Sequence, residues 1–151
     1  MLSVSDTRTI ENDESGAFIQ GALLADRHTV VGYAICKDEP DLVVQHVKAW
    51  IAKGAQVVIT TGGTGIAPRD TTFEAIERLV EKRLDGFGEL FRALSYKEIG
   101  AAAMLSRATA GTLRGGGFVF ALPGSANAVR LAMKELILPE LAHVAWLARP
   151  R

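Results

Sequence analysis

Short apolar runs of strand length alternate with longer helical stripes along this chain, and that rhythm constrains its fold more than any other feature. Gln56–Thr60 and Phe118–Leu122 are compact apolar runs, and His28–Cys36 is apolar and β-branched. Met1-Leu2-Ser3-Val4 reads as the tail of a strand whose beginning is missing. Between these runs, Ser5–Ser15 is polar, a loop, and Ala17, Phe18, Gly21, Ala22 and Leu24 recur at helical spacing within Gly16–Asp26. Val43, Val44, Val47, Trp50 and Ile51 do the same after Asp38-Glu39-Pro40, whose acids and proline suit a helix start, with Gly54 suiting its stop. Thr71-Thr72-Phe73-Glu74 matches a capping box. Gly86-Phe87-Gly88 is expected to break the chain before a short helix over Glu89–Leu94, and Ala101–Arg114 shows no clear period. Gly115-Gly116-Gly117 reads as a turn, and helices are expected over Ala126–Leu138 and Leu141–Leu147. The alternation predicts βαβ units and therefore one α/β domain over residues 1–151, a mostly parallel sheet with helices on both faces.

Charge and composition exclude several classes of function. Lys+Arg and Asp+Glu are both 17, so the formal net charge is zero. Phosphate neutralisation drives nucleic-acid binding, and without a basic excess or stripe no nucleic-acid partner is expected. The apolar runs are too short to cross a bilayer, and no charged-then-apolar leader follows Met1, so the expectation is a cytoplasmic protein with no membrane partner. Cys36 is the single cysteine, which leaves no internal disulfide or cysteine-rich zinc site, and its apolar neighbours suit a buried structural thiol. His28, His46 and His143 show no metal-ligand spacing.

Parallel sheets bind ligands beyond the carboxyl ends of their strands, which directs attention to the loops after Gln56–Thr60 and Phe118–Leu122. The first is Thr61-Gly62-Gly63-Thr64-Gly65. Glycines at a strand end allow positive φ, so successive N–H groups can face an anion, and threonine hydroxyls add donors. The stretch has neither the lysine of a phosphate-binding P-loop nor the third glycine of a dinucleotide fingerprint. Asp70 follows, and both a Mg²⁺ ligand and a helix cap suit it. Asp38, also between strand and helix, poses the same alternatives. If strand order brings both loops to one edge, two such carboxylates beside a phosphate cradle suit metal-assisted phosphoryl or nucleotidyl transfer. Leu122-Pro123-Gly124-Ser125 offers a second anion site with Ser125 as N-cap, Glu89 follows a flexible turn, and Ser106 and Arg107 are polar in an apolar neighbourhood.

Taken in order, these segments resemble the molybdenum cofactor biosynthesis family typified by MogA and MoaB. The matching stretches are Val4-Ser5-Asp6, Asp13-Glu14-Ser15-Gly16, Thr61–Gly65 with Arg69-Asp70, Gly86-Phe87-Gly88-Glu89, Leu105-Ser106-Arg107 and Leu122–Ser125. Phe91–Gly100 is closer to the MoaB branch. The resemblance implies a three-layer sandwich assembled as a homotrimer or homohexamer. It also implies binding of molybdopterin, with ATP and Mg²⁺ as the adenylyl donor and its cofactor, and a downstream molybdenum insertion enzyme as the user of the product. On the family pattern Asp70 and Asp38 are the catalytic, Mg²⁺-holding acids. Thr61, Gly62, Gly63, Thr64, Gly65, Pro123, Gly124 and Ser125 carry over as substrate-binding elements, joined by Ser5, Asp6, Glu89 and Ser106. A catalytically silent molybdopterin carrier is the alternative. The nucleotide-hydrolase-like domain of competence/damage-inducible proteins has a similar glycine loop, but acidic pairs tend to stand where this chain has Arg69-Asp70.

Overall fold

The apolar run Phe118–Leu122 becomes a strand buried along its whole length, inside a six-stranded sheet. In this computed structural model, which describes residues 1–149, the strands are β1 (Leu2–Val4), β2 (Ala34–Cys36), β3 (Val57–Thr61), β4 (Val80–Arg83), β5 (Thr109–Leu113) and β6 (Phe118–Leu122). The helices are α1 (Glu14–Ala25), α2 (Pro40–Ala52), α3 (Thr72–Leu79), α4 (Asp85–Ile99), α5 (Ala126–Ala132) and α6 (Leu138–Leu147). The strand order is β2-β1-β3-β6-β5-β4. The first four of these run parallel, and β5 and β4 are each antiparallel to their neighbour. The antiparallel half arises at Gly115, Gly116 and Gly117, whose φ values of 87°, 106° and 90° form a reversal that L side chains rarely adopt. It folds the unclassified Thr109–Leu113 back along β6.

Period-two alternation sends the side chains of one ladder into two cores. Ile59, Phe118, Phe120 and Leu122 face α1, α4, α5 and α6, meeting Ile19, Phe87, Phe91, Val129 and Ile137. Phe87 and Phe120 pack edge-to-face with centroids 5.1 Å apart. Val58, Val119 and Ala121 face the other way, onto Val43, Val47 and Trp50 of α2 and Ile76 of α3. The expected layering, helices on both faces of the sheet, is what the chain adopts.

Four local expectations are corrected. The strand expected over His28–Cys36 is only Ala34–Cys36, because β1 offers partners to those three residues alone. Gly86-Phe87-Gly88 does not break the chain ahead of a short helix over Glu89–Leu94 but lies inside the longer α4, Asp85–Ile99. A Cβ on Gly88 would come within 2.9 Å of the Ala108 carbonyl, so this glycine serves close helix–strand approach. The helix expected over Ala126–Leu138 passes into a π-helical stretch over Met133–Ile137. Pro139, just inside α6, lacks an N–H and cannot continue a regular ladder, and a widened turn accommodates it. The capping box at Thr71 does not form: the Thr71 hydroxyl donates to Asp38, and Glu74 pairs with Arg107.

No helix among the described residues is long and apolar enough to cross a membrane. Phe91, 1% exposed, fills the first core, whereas its neighbour Leu90 is 56% exposed. Phe91→Ala is expected to cost about 3–5 kcal/mol in urea unfolding, and Leu90→Ala less than about 0.5 kcal/mol. Equal effects at the two positions would overturn this core assignment.

Candidate functional site

The parallel strands β1, β2, β3 and β6 all end at one edge, so the loops that follow them gather there. From β1 the chain crosses to β2 on one side and returns to β3 on the other, which makes the gap between β1 and β3 the switch point of the sheet. The loop after β3 turns sharply at Gly62 and Gly63, with φ of 94° and 66°. A Cβ on Gly62 would collide with the Val4 carbonyl, and one on Gly63 with Asp38 and Thr72, so the loop is threaded between β1 and α3. The Gly62 N–H donates to the Leu122 carbonyl at 2.9 Å. Beyond it, the N–H groups of Gly63, Thr64, Gly65 and Ile66 donate to no other group among the described residues. A run of free amides at a strand end is a cradle for an anion.

The threonines of this segment divide by role. Thr61 is fully buried and its hydroxyl donates to Ser3 at 3.4 Å, making it part of the sheet end. Thr64 is also buried, and its carbonyl accepts from Arg107.

Two carboxylates lie against the loop. Asp38 accepts from the Thr71 N–H at 3.2 Å, the Thr71 hydroxyl at 2.8 Å and the Thr72 hydroxyl at 3.1 Å. It thus supplies from the β2–α2 connection the anion that the start of α3 favours. Asp70 accepts from the Ala67 N–H at 2.9 Å and closes the loop on itself; a Cβ on Gly65 would lie 2.6 Å from its Oδ2. Among the described residues no three metal-ligating side chains converge. Asp38, from the β2–α2 connection, and Asp70, from the loop after β3, are hard oxygen donors beside Gly63 and Gly65, which fits a cation that takes one or two carboxylates and completes its shell with water and phosphate.

The Pro123-Gly124-Ser125 turn forms the neighbouring wall. A Cβ on Gly124 would stand 3.4 Å from the Gly62 Cα, so the two loops touch. Ser125 caps α5 by accepting from the Ala128 N–H at 3.3 Å. The Gly124 carbonyl accepts from Arg8 at 2.6 Å and from the Ser15 hydroxyl at 3.2 Å. On the β1 side, the Ser5 hydroxyl oxygen accepts from the Thr7 and Arg8 N–H groups, and Asp6 pairs with Arg69 across the switch point. The Arg69 guanidinium holds the Asp6 carboxyl below its ordinary value. Ser106 lines a separate hollow of about 400 Å³ with Arg83, Asp85, Arg92 and Thr109, while Asp70 lines one of about 380 Å³ with Ile66 and Pro68. Arg107 borders both. Glu89 stands exposed on α4 and joins neither hollow. A hollow of about 410 Å³ at the opposite end of the strands, between Val30–Gly32 and Gln56–Ile59, contains none of these residues.

Asp13 belongs to a family-like stretch of the sequence that assigns it no role, yet it is 2% exposed and central. Its carboxylate accepts from the Ser3 hydroxyl, the Gly16 N–H at 3.0 Å and the Tyr33 hydroxyl at 2.7 Å, with Arg8 at 3.6 Å. Burial by itself would raise this carboxyl, but the three hydrogen bonds and the Arg8 charge outweigh it and hold it below its ordinary value. Tyr33 is correspondingly pushed up to about 12 by burial and by Asp13. Cys36 is buried as expected, its thiol raised to about 11 by burial and then by the charges of Asp38 and Glu39.

Comparison with known proteins agrees across nearly the whole chain. Residues 1–143 match the family described as "Probable molybdopterin binding domain". Molybdenum cofactor biosynthesis protein B of Bacillus anthracis is 50% identical over 148 residues, which is 97% of this chain and 87% of that protein. A crystal structure of molybdenum cofactor biosynthesis protein B matches with a TM-score of 0.92 and 49% identity over 97% of this chain and 92% of the other. The crystal structure of the tungsten cofactor synthesizing protein MoaB from Pyrococcus furiosus matches with a TM-score of 0.88 and 43% identity, over 99% and 94% of the two chains.

Asp13→Asn is expected to lower stability by about 1.5–3 kcal/mol at pH 7, because the buried hydrogen bonds to a charged acceptor are lost. A depressed folded pKa contributes stability above the ordinary carboxyl value of 3.8 that disappears as pH falls through the folded value. The gap between wild type and variant in urea unfolding should therefore hold from pH 7 to about pH 5 and close below about pH 4. A gap that widened on acidification would contradict the assignment.

Proposed function

The chain belongs to the molybdenum cofactor biosynthesis family that carries the molybdopterin-binding domain, and from that premise we propose that it adenylylates molybdopterin. A place in molybdenum cofactor biosynthesis follows from the family itself. The finer reading is that the terminal phosphate of the pterin attacks the α-phosphorus of ATP, a new P–O bond forms, and pyrophosphate leaves. The observation that carries it is the run of free amides from Gly63 to Ile66, flanked by Asp38 and Asp70 at the switch point of the sheet. No covalent enzyme intermediate is required, so the protein contributes position and electrostatics. The free amides hold one phosphate group, and the Pro123-Gly124-Ser125 turn bounds the second ligand. Mg²⁺, where bound, offsets charge on the α-phosphate and the leaving pyrophosphate. Asp70 is the better placed to hold it, since its Oδ1 has no partner among the described residues.

A second reading, a catalytically silent molybdopterin carrier, is favoured by Asp38. Its carboxylate already serves three donors at the start of α3, as a purely structural cap would. Assembly as a homotrimer or homohexamer belongs to the same proposal. Tyr96, Ile99 and Met104 are 59–76% exposed on α4 and the turn after it, where an interface would cover them.

The test is pyrophosphate release and adenylyl-molybdopterin formation by the purified protein with molybdopterin and MgATP. Wild type should turn over, and Asp70→Asn should lose at least about 10²-fold in kcat with pterin affinity changed less than about threefold. A nearly fully active Asp70→Asn would remove that residue from the mechanism. Pterin binding without pyrophosphate release in the wild type would select the carrier.

A further inference from the structure

The loop after β3 offers free N–H groups because its carbonyls are engaged elsewhere, and one side chain engages them. Arg107 Nε donates to the Gly65 carbonyl at 2.9 Å and to that of Thr64 at 3.4 Å. Its Nη2 donates to Gly65 at 2.5 Å and to the Asp70 carbonyl at 3.2 Å. The Arg107 backbone N–H reaches the Thr64 carbonyl as well, at 3.2 Å. Nη1 pairs with Glu74, and the guanidinium carbon lies 4.7 Å from the centroid of the Phe73 ring. In a trans peptide the N–H and C=O point to opposite sides. Holding the carbonyls of Thr64 and Gly65 on Arg107 therefore turns the N–H groups of Gly65 and Ile66 away from it.

We propose that Arg107 is a positioning residue that holds residues 64–70 in their anion-accepting conformation and so aligns both the free amides and Asp70. The guanidinium suits this task because it presents several donors in a rigid planar fork and stacks on an aromatic ring; a lysine ammonium reproduces neither. With its donors directed at the loop and at Glu74, Arg107 acts through the backbone and not on the ligand. The purpose of that alignment rests on the adenylyl-transfer reading, whereas the ordering of the loop does not.

Backbone ¹⁵N relaxation on the full chain, with and without inorganic pyrophosphate, tests the proposal alongside steady-state adenylylation. In Arg107→Ala the order parameters of residues 64–66 should fall from about 0.85 to below about 0.6. The amide shifts that pyrophosphate causes there in the wild type should vanish. The kcat should fall by about 10²-fold, against a change of under about tenfold in either KM. Arg107→Lys should restore little of this. Glu74→Gln removes only the anchor of Nη1 and keeps the fold should Arg107→Ala prove insoluble; it should lower the same order parameters in part. Unchanged order at residues 64–66 in both Arg107→Ala and Glu74→Gln would overturn the proposal. Loss of order in the variant, with no adenylyl transfer by the wild type, would leave Arg107's role standing and remove the reaction assigned to the site.

Discussion

β3 and β6 pair in parallel without a break in register, from Val57 beside Phe118 to Thr61 beside Leu122, and the rest of the structure hangs on that ladder. Because the pairing is parallel, both strands release the chain at the same edge of the sheet. The Gly62 N–H then closes onto the Leu122 carbonyl, and Gly124 comes to rest against Gly62. The same ladder divides its side chains between two cores, with Phe118, Phe120 and Leu122 on one face and Val119 and Ala121 on the other. A slip of one residue would exchange the faces and separate the glycine loop from the Pro-Gly-Ser turn. Packing and site geometry therefore share one determinant.

Charge organises what the ladder brings together. Asp13 gathers Ser3 of β1, the start of α1 at Gly16, Tyr33 ahead of β2, and Arg8 from the loop between. Arg8 passes the constraint on to the Gly124 carbonyl. An unpaired buried carboxylate would be strongly unfavourable, and here each partner is a donor or a cation. Asp38 performs a comparable service at the start of α3. The walls of the crevice are thus fixed by groups of the chain itself, so little reordering remains for a ligand to induce.

Legibility in the sequence followed the range of the interactions involved. α2 and β6 were visible because their signals are local: an acid–proline start with an apolar stripe in one, an uninterrupted apolar run in the other. The segment before Ala34 reads as strand by composition, yet it has no ladder partner and takes no regular structure. Thr71 and Glu74 fit a local cap, but Asp38 and Arg107 outcompete it from 33 positions away in each case. The ordered motifs also brought the family into view, because the glycine loop, Arg69-Asp70 and the Pro-Gly-Ser turn each keep a short, recognisable pattern.

By itself the amino-acid sequence determined the layered α/β class and marked the two glycine-bearing loops at the strand ends. Those depend on periodicity and on backbone freedom at glycine, which neighbouring residues settle among themselves. The antiparallel turn of β5 and β4, the carbonyl-binding role of Arg107 and the burial of Asp13 were decided in three dimensions. Arg107 and Gly65 are 42 residues apart, and Arg8 and Gly124 are 116 apart. Hydrogen bonds of that span exist only once the sheet order has placed their ends together, and no local pattern records the order.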